Sequence, residues 1–518
     1  MSVDIENLRT RAKTIVEIPA HYRLEMEDNI PKGDEQERCF IWEDPENEDN
    51  RIEVTLDLYT GHVTRLAIDR AEEEEINEVG GGQWMSSDGK ARVIADTFVA
   101  RHTPDAAELT SVFIEKERDG ITFTLRREVG GLPLPGTGCK LTIDAGLNVV
   151  RYRLDGRKNL NGSLPEWPAA IVDEETVKEY VRRHLRMELT IVSLYPSMYE
   201  LNGNEPEYRL AYMPTPEHQF IDAITGLDLF SPEHYVMPPS SPVPQIKTVS
   251  NLTNEDEKGS WEQRLGINVE HYMLEKTLDD GETVRYRYQI SQQEEEEPET
   301  DGMSVDAYMN RKWGDQLRNM RDHSIMVQLE KKTGRLIGFH QMNCGEVGVP
   351  TFSRELCWKQ AEQFLGIVFP DYAQYLQLEI DQANSDEEPC KREFFYLPVF
   401  IDGIPVNHER ITISVCTSTG EICAYMGVSY ELISELTGRQ FQSIIMAETA
   451  LDSYVEQMKL RLKWYEDQDK DDHDHDHDHN TQVYRLLYEA TTKSIPKQGN
   501  EGKLRYIDAM TGEFIWGK

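Results

Sequence analysis

The sequence is short of cations, of cysteines and of long apolar runs. Its 518 residues carry 55 lysines and arginines against 94 aspartates and glutamates, a net charge of −39. That balance repels phosphate backbones and argues against nucleic acid as a partner. No apolar run approaches the ~18 residues that cross a bilayer as a helix, so no membrane span is expected. The start, Met1-Ser-Val-Asp-Ile-Glu-Asn, lacks the basic and apolar regions of a secretory signal. Seven cysteines are scattered from Cys39 to Cys423 with no Cys-x-x-Cys. Such a set is expected of reduced thiols, and with it a cytoplasmic protein. Cys416 and Cys423 flank one candidate hairpin; they suit a disulfide or two small side chains packed on a strand.

Catalytic signatures are missing too. There is no Gly-x-Ser-x-Gly, no His-Glu-x-x-His, no Walker A loop and no dinucleotide fingerprint after a strand. The expectation is a protein that is not an enzyme, with no catalytic residues and no cofactor. The rival is an enzyme with a dispersed carboxylate site, which requires a pocket gathering several acids of perturbed pKa.

What is present is a recurring turn. Asp-x-x-Thr-Gly stands at Asp57 to Gly61, Asp222 to Gly226 and Asp508 to Gly512. Glu330 to Gly334 has Glu in the first slot, and Cys416 to Gly420 has Cys there. Asp144 to Asn148 closes on Asn in place of Gly. The Asp side chain accepts from the backbone two residues on, and the last residue closes the hairpin in the left-handed conformation. Alternating apolar flanks such as Ile52, Val54 and Leu56 mark the strands on either side.

The closing residues 61, 148 and 226 pair with 334, 420 and 512 at a near-constant offset. His21-Tyr22 matches His271-Tyr272, and Tyr208-Arg-Leu matches Tyr484-Arg-Leu. An internal duplication follows. The first half is 1–235, with units of about 1–75, 82–155 and 161–232. A proline-rich linker covers 236–250. The second half is 251–518, with units of about 251–343, 350–429 and 430–518. Each unit reads as a helix followed by antiparallel strands, an α+β plan.

Helices are expected over 4–18, around Ala91 to Phe98, over 173–185 with Asp173 as N-cap, and over 255–266. Two more are marked by Cys357, Ala361 and Leu365, and by Ala447, Leu451, Tyr454, Met458 and Leu462. About 23 extra residues near 291–301 predict an inserted surface loop with a short helix near 304–318.

The conspicuous chemical tract is Asp471-Asp-His-Asp-His-Asp-His-Asp-His479. His473, His475, His477 and His479 suit weak Zn, Ni or Cu binding or buffering. The other reading of the tract is an acidic loop with no apolar residues to fix a metal geometry. His21 and His271 fit aromatic packing better than ligation.

Phe123-Thr-Leu-Arg-Arg-Glu-Val-Gly-Gly-Leu-Pro-Leu134 and Phe395-Tyr-Leu-Pro-Val-Phe-Ile-Asp-Gly-Ile-Pro-Val406 each lead to a strand and one of these turns. With the Tyr-Arg-Leu and Ile-Asp-Ala-x-Thr-Gly ends of both halves, the chain resembles the YcdB/YcdC repeat family of Gram-positive bacteria. Units of that family are related to PepSY domains. The resemblance implies six PepSY-like α+β units and a non-catalytic role, binding a peptide or protein partner. PepSY domains resemble the propeptides of thermolysin-like proteases, which implies modulation of a peptidase. Many relatives carry a secretion signal or envelope anchor, which this sequence is not expected to have.

Overall fold

The computed structural model describes residues 5–27, 37–70, 88–117, 120–155, 164–201, 203–217, 219–229, 238–244, 260–290, 302–321, 324–342, 349–380, 391–467, 483–492 and 503–518. The fold is α+β, with two repeated regions dominated by antiparallel sheet.

The first region opens with α1 (Ile5–Ile15), then β1 (Arg23–Glu27), β2 (Glu37–Asp44), β3 (Asn47–Asp57) and β4 (Val63–Asp69). After α2 (Asp88–His102) come β5 (Ser111–Glu117), β6 (Gly120–Arg126), the short pair β7 (Glu128–Val129) and β8 (Leu132–Pro133), β9 (Cys139–Ile143) and β10 (Val149–Leu154). Eight of these strands form one antiparallel sheet in the order β1-β2-β3-β4-β10-β9-β6-β5. Alternation puts Phe40, Val54, Leu66, Tyr152, Leu141 and Phe123 on one face. There they pack under Leu8 and Ala12 of α1 and Ala91, Ala95 and Val99 of α2. Burying a large apolar side chain stabilises by about 1.5–3 kcal/mol, so this layer accounts for the sheet's one-sided pattern.

The chain continues through α3 (Glu174–His184), β11 (Arg186–Leu194), β12 (Glu207–Thr215), β13 (Phe220–Asp222) and β14 (Ser240–Pro242). Asp173 caps α3, accepting from Thr176 N at 3.0 Å. The second region holds α4 (Trp261–Arg264), β15 (Tyr272–Asp279), β16 (Thr283–Ile290), α5 (Val305–Arg321), β17 (Ser324–Glu330) and β18 (Leu336–Gln341). It goes on with α6 (Arg354–Val368), α7 (Tyr372–Tyr375), β19 (Gln377–Glu379), β20 (Arg392–Ile401), β21 (Ile404–Cys416) and β22 (Ile422–Met426). The last stretch is α8 (Tyr430–Thr437), α9 (Ala447–Gln457), β23 (Met458–Asp467), β24 (Val483–Thr492), β25 (Lys503–Asp508) and β26 (Phe514–Gly517).

The sheets do not part at 236–250. The second sheet runs β15-β16-β17-β18-β22-β21-β11-β12-β25-β26, with β20 also on β21, so β11 and β12 join strands from beyond the linker. The segments 164–229 and 430–518 exchange parts. Hairpin β11–β12 is continued by β25 and covered by Ala450 and Tyr454 of α9. Hairpin β23–β24 is continued by β13 and packs with Val177 and Val181 of α3. Each hairpin thus takes its covering helix and its terminal turn from the other segment. Unfolding one segment therefore strips strands from both.

The turns are built as their sequence implies. Asp57 Oδ1 accepts from Tyr59 N, Thr60 N and Thr60 Oγ1 at 3.0, 2.8 and 2.9 Å, and Gly61 closes at φ 64°. Asp222 and Asp508 repeat the amide contacts. One detail differs from expectation. In the Asp144 turn the left-handed residue is Leu147, at φ 64°, while Asn148 donates its N–H to Asp144 Oδ1 at 2.8 Å. Where Cys416 replaces the Asp, its Sγ lies 3.0 Å from Ser418 Oγ. Cys416 is a free thiol packed with buried Cys423, so the two are not bridged. Cys423 is itself disulfide-bonded, which departs from the expectation of uniformly reduced cysteines.

Two element expectations are corrected. The helix marked by Met458 and Leu462 stops at Gln457, because Lys459-Leu-Arg-Leu-Lys-Trp464 alternates with the period of a strand. The helix near 304–318 is not a surface decoration: α5 packs on the first sheet. Residues 291–301 lie outside the described residues.

Candidate binding edge

The two repeated regions open with equivalent edge strands. In β1, Leu24 pairs with Trp42 and Met26 with Ile41, so Glu25 is an extra, bulged residue. In β15, Leu274 pairs with Tyr288 and Lys276 with Arg287, and Glu275 is bulged in the same place. The next strands also correspond, since Ile41 faces Glu53 of β3 and Arg287 faces Met326 of β17.

The β1 edge is closed by the chain itself. The Glu27 amide donates to Met303 O at 2.9 Å, and Arg311 of α5 donates to Glu25 O at 2.7 Å. Tyr308 packs against Met26 and Ile41, with Trp313 edge-on to its ring. The Tyr308 hydroxyl donates to Glu43 at 2.7 Å, and Lys312 reaches Glu43 and Glu48, each at 3.0 Å. Burial, the hydrogen bond to Glu43 and the Glu43 charge all push the Tyr308 pKa above its ordinary value. Burial would lower Lys312, but its bonds to Glu43 and Glu48 outweigh that and raise it. Beneath the edge, Glu27 is held between Arg9 and Arg38.

The β15 edge has no such cover among the described residues. Met273, Leu274 and Leu278 are 57, 52 and 50 % exposed, against 5 % for Met26. Lys276 stands where Met26 stands in β1, and it has no ion pair among the described residues. Glu275 pairs with Arg287 at 3.1 Å, and Asp279 pairs with Lys331 at 2.7 Å. The Lys331 bond and the Gly281 amide hold Asp279 below its usual range, and the Thr283 amide and hydroxyl do the same for Asp280. Met326 and Met426 continue the exposed face inward along the sheet. His340 lies beside Met326 on this face; burial, then the Arg392 charge, lower its pKa and favour the neutral ring. Backbone donors and acceptors along an uncovered edge form a template for another strand.

A repeated-domain family described as "YcdB, YcdC" matches residues 5–156 and again 261–429, so each match contains one of these two edges. The chain belongs to the YcdB/YcdC repeated-domain family. It is similar to the uncharacterized protein YcdB of Bacillus subtilis (strain 168), at 26 % identity over 99 % of this chain and 98 % of that one. It is also similar to the uncharacterized protein YcdC of that strain, at 23 % identity over 89 % of this chain and 92 % of that one. Among solved structures, the Bacillus megaterium YpeB C-terminal domain aligns at a TM-score of 0.27 and 13 % identity, covering 44 % of this chain and 95 % of its own.

The residues singled out by sequence fall elsewhere in this family member. His473, His475, His477 and His479 lie outside the described residues. Among the described residues, no three His, Cys, Asp or Glu side chains are grouped to hold a metal ion. His21 and His271 are not brought together. His21 stacks edge-on to Tyr22 and lies 3.7 Å from Asp44, while His271 is exposed just before β15. A depression of about 550 Å³ on α2 is lined by Val93, Asp96, Thr97, Ala100 and Arg101, and gathers a single carboxylate. That carboxylate is paired with Arg92 at 2.8 Å. Sequence reasoning missed the α5 dock and the contrast between the edges. The available signal was the His-Tyr-x-Leu-Glu repeat, with Met26 in one copy aligned to Lys276 in the other.

Proposed function

We propose that the protein is a non-catalytic YcdB/YcdC-type repeat protein that binds a peptide or protein partner by strand addition along β15. The observation that carries this is the β15 edge, uncovered among the described residues and set against an equivalent edge that the chain closes with its own helix. In strand addition the main chain supplies affinity, and side chains on alternate faces supply selectivity. Met273, Lys276 and Leu278 share one face, so an incoming strand meets two apolar side chains with a cation between them. The finer reading of six PepSY-like units, with modulation of a peptidase as the outcome of binding, rests on the recurring turns and stays part of this proposal. Cytoplasmic residence, expected from the scattered thiols, stays part of this proposal. Mass mapping under non-reducing conditions, on protein taken from its native cell, tests that point.

The test of function is selection of extended peptides from a displayed random library on the full chain. Bound peptides are expected to slow hydrogen exchange at β15 amides and to lose affinity in Leu278→Asp. Peptides that bind without protecting β15 would overturn the assignment of the edge. The His-Asp tract is a separate proposal, a weak metal buffer: deletion of 471–479 is expected to remove zinc or nickel binding in calorimetry and leave the melting transition in place.

A further inference from the structure

The β15 strand is complementary to itself. Reversed against a second copy, Tyr272 to Asp279 places Met273 opposite Leu278, Leu274 opposite Thr277 and Glu275 opposite Lys276. We propose that the strand added at β15 is the β15 of a second copy of this chain, so that two second-region sheets join across a two-fold axis at the Glu275–Lys276 doublet. The proposal rests on the reading of β15 as an accepting edge and names its occupant.

The faces of the strand support this pairing. An antiparallel pair requires that residues directly opposite point to the same face of the sheet. In a regular strand, Met273 and Leu278 are an odd number of residues apart and would point to opposite faces. The bulge at Glu275 removes that mismatch. Met273 pairs with Gln289 and Leu278 with Arg285, both on the outer face of the sheet. Leu274 pairs with Tyr288 and Thr277 with Tyr286, both on the inner face. Both of these cross-axis pairs therefore share a face, and the Glu275 carboxylate, 3.1 Å from Arg287, lies on the face that Arg287 shares with Lys276. The doublet that faces one residue, Arg287, on the β16 side faces the same doublet of the second copy on the open side. Two residues then meet two, and the register continues without a net slip.

The chemistry is matched as well. Met273 and Leu278, both more than half exposed or close to it, bury each other twice in the pair. Lys276, without an ion pair among the described residues, gains Glu275 of the second copy, twice. An isologous contact needs this property: one patch that fits itself. A lysine on an edge ordinarily discourages pairing, but here its opposite residue carries the neutralising charge. The net charge of −39 opposes association, so the pairing is expected to tighten as ionic strength rises.

The experiment is sedimentation velocity of the full chain over a concentration series at raised ionic strength. The wild type is expected to dimerise. Lys276→Glu and Glu275→Lys each set like charges together across the axis, and each is expected to weaken the dimer by about tenfold. The double variant E275K/K276E restores both opposed pairs and is expected to recover the dimer, which a merely unfolded or disturbed strand would not do. Leu278→Asp gives a second loss through the apolar pair, with circular dichroism confirming that the sheet persists. A wild type that stays monomeric, or a dimer indifferent to the charge variants, overturns the proposal. If the monomer still takes up library peptides with β15 protection, strand addition stands and self-pairing alone fails. If it takes up none, both fail.

Discussion

Strands β1 and β15 start from the same backbone. Both bulge at the residue after a leucine, both pair with the strand that follows, and both begin a sheet. What differs is a few side chains and one helix. In the first region the outer face carries Met26 and Ile41, and Tyr308 of α5 seats on them. In the second, the same positions carry Lys276 and Arg287, and no equivalent helix is seated there among the described residues. The comparison teaches that an edge is closed by its neighbours' chemistry as much as by its own hydrogen bonds. Two apolar residues make a seat for an aromatic ring; two cations at those places do not.

The strongest way to break this contrast is to put the second region's residue into the first. Ile41 is buried beneath Tyr308. Ile41→Arg removes the apolar seat and puts a guanidinium that must be desolvated beneath Tyr308, with Glu53 opposite already paired with Arg65, and should destabilise α5 docking by a few kcal/mol. The expected result is a lower urea midpoint and fast hydrogen exchange at the Glu27 amide. The reverse change, Arg287→Ile, should stay within about 1 kcal/mol of wild type, because Arg287 is partly exposed and its ion pair lies on the surface. Equal losses for the two variants would mean that the faces are not organised differently.

A smaller effect is expected from the charges on α5. Lys312→Met removes the cation beside Glu43, whose side chain is 7 % exposed. Breaking a buried pair costs about 3–5 kcal/mol at most. Here the Tyr308 hydroxyl still donates to Glu43, so the loss should fall below that range. Glu48, the other partner of Lys312, is 79 % exposed. Glu48→Gln should change stability by less than about 1 kcal/mol, as exposed pairs do. Denaturant titration of the two variants separates the buried arm of this fork from the exposed one.

Much of the scaffold was legible because its signals are local. Asp57, Asp222 and Asp508 announce their turns, and the period-two flanks announce the strands on either side. Asp173 announces the start of α3. The α+β class and the duplication follow from those signals. The exchange between 164–229 and 430–518 was not legible. Hairpins β11–β12 and β23–β24 have the same pattern whichever terminal turn completes them, so no single residue states the partner. Helix α9 was drawn too long because Met458 and Leu462 fit a helical stripe as well as a strand, and tertiary pairing with β24 decided it. The candidate edge was half legible. The repeated His-Tyr-x-Leu-Glu placed two strands in register, but that α5 crosses to the first sheet depends on contacts far apart in sequence, such as Tyr308 with Glu43.

The last way to sharpen the comparison is alkaline pH, which should loosen α5 from the closed edge. Tyr308 and Lys312 both have folded-state pKa values raised above their ordinary ones. A group that holds its proton more tightly when folded contributes stability that is full below its unfolded pKa. That contribution is lost as pH rises through the folded one. For both groups the loss therefore begins above about pH 10, near the unfolded values of tyrosine and lysine. As Tyr308 ionises it faces the Glu43 carboxylate, and as Lys312 loses its charge that carboxylate loses its counter-ion, so both changes push α5 away from β1. Trp313 lies 5.9 Å from Tyr308, edge to face, and reports the separation by its fluorescence. The expected result is a reversible change in Trp313 emission above pH 10, absent at neutral pH and shifted in Tyr308→Phe, which cannot ionise at that position. At the open edge, Asp279 and Asp280 are held low, so their contribution is lost in acid, as pH falls through the carboxylate range; burial raises Tyr272 of β15, and burial with the bond to Glu262 raises Tyr288 beside it, so this edge has alkaline-sensitive groups of its own, away from Trp313. An emission change that persists unaltered in Tyr308→Phe would show that α5 is not held to the first sheet by this pair.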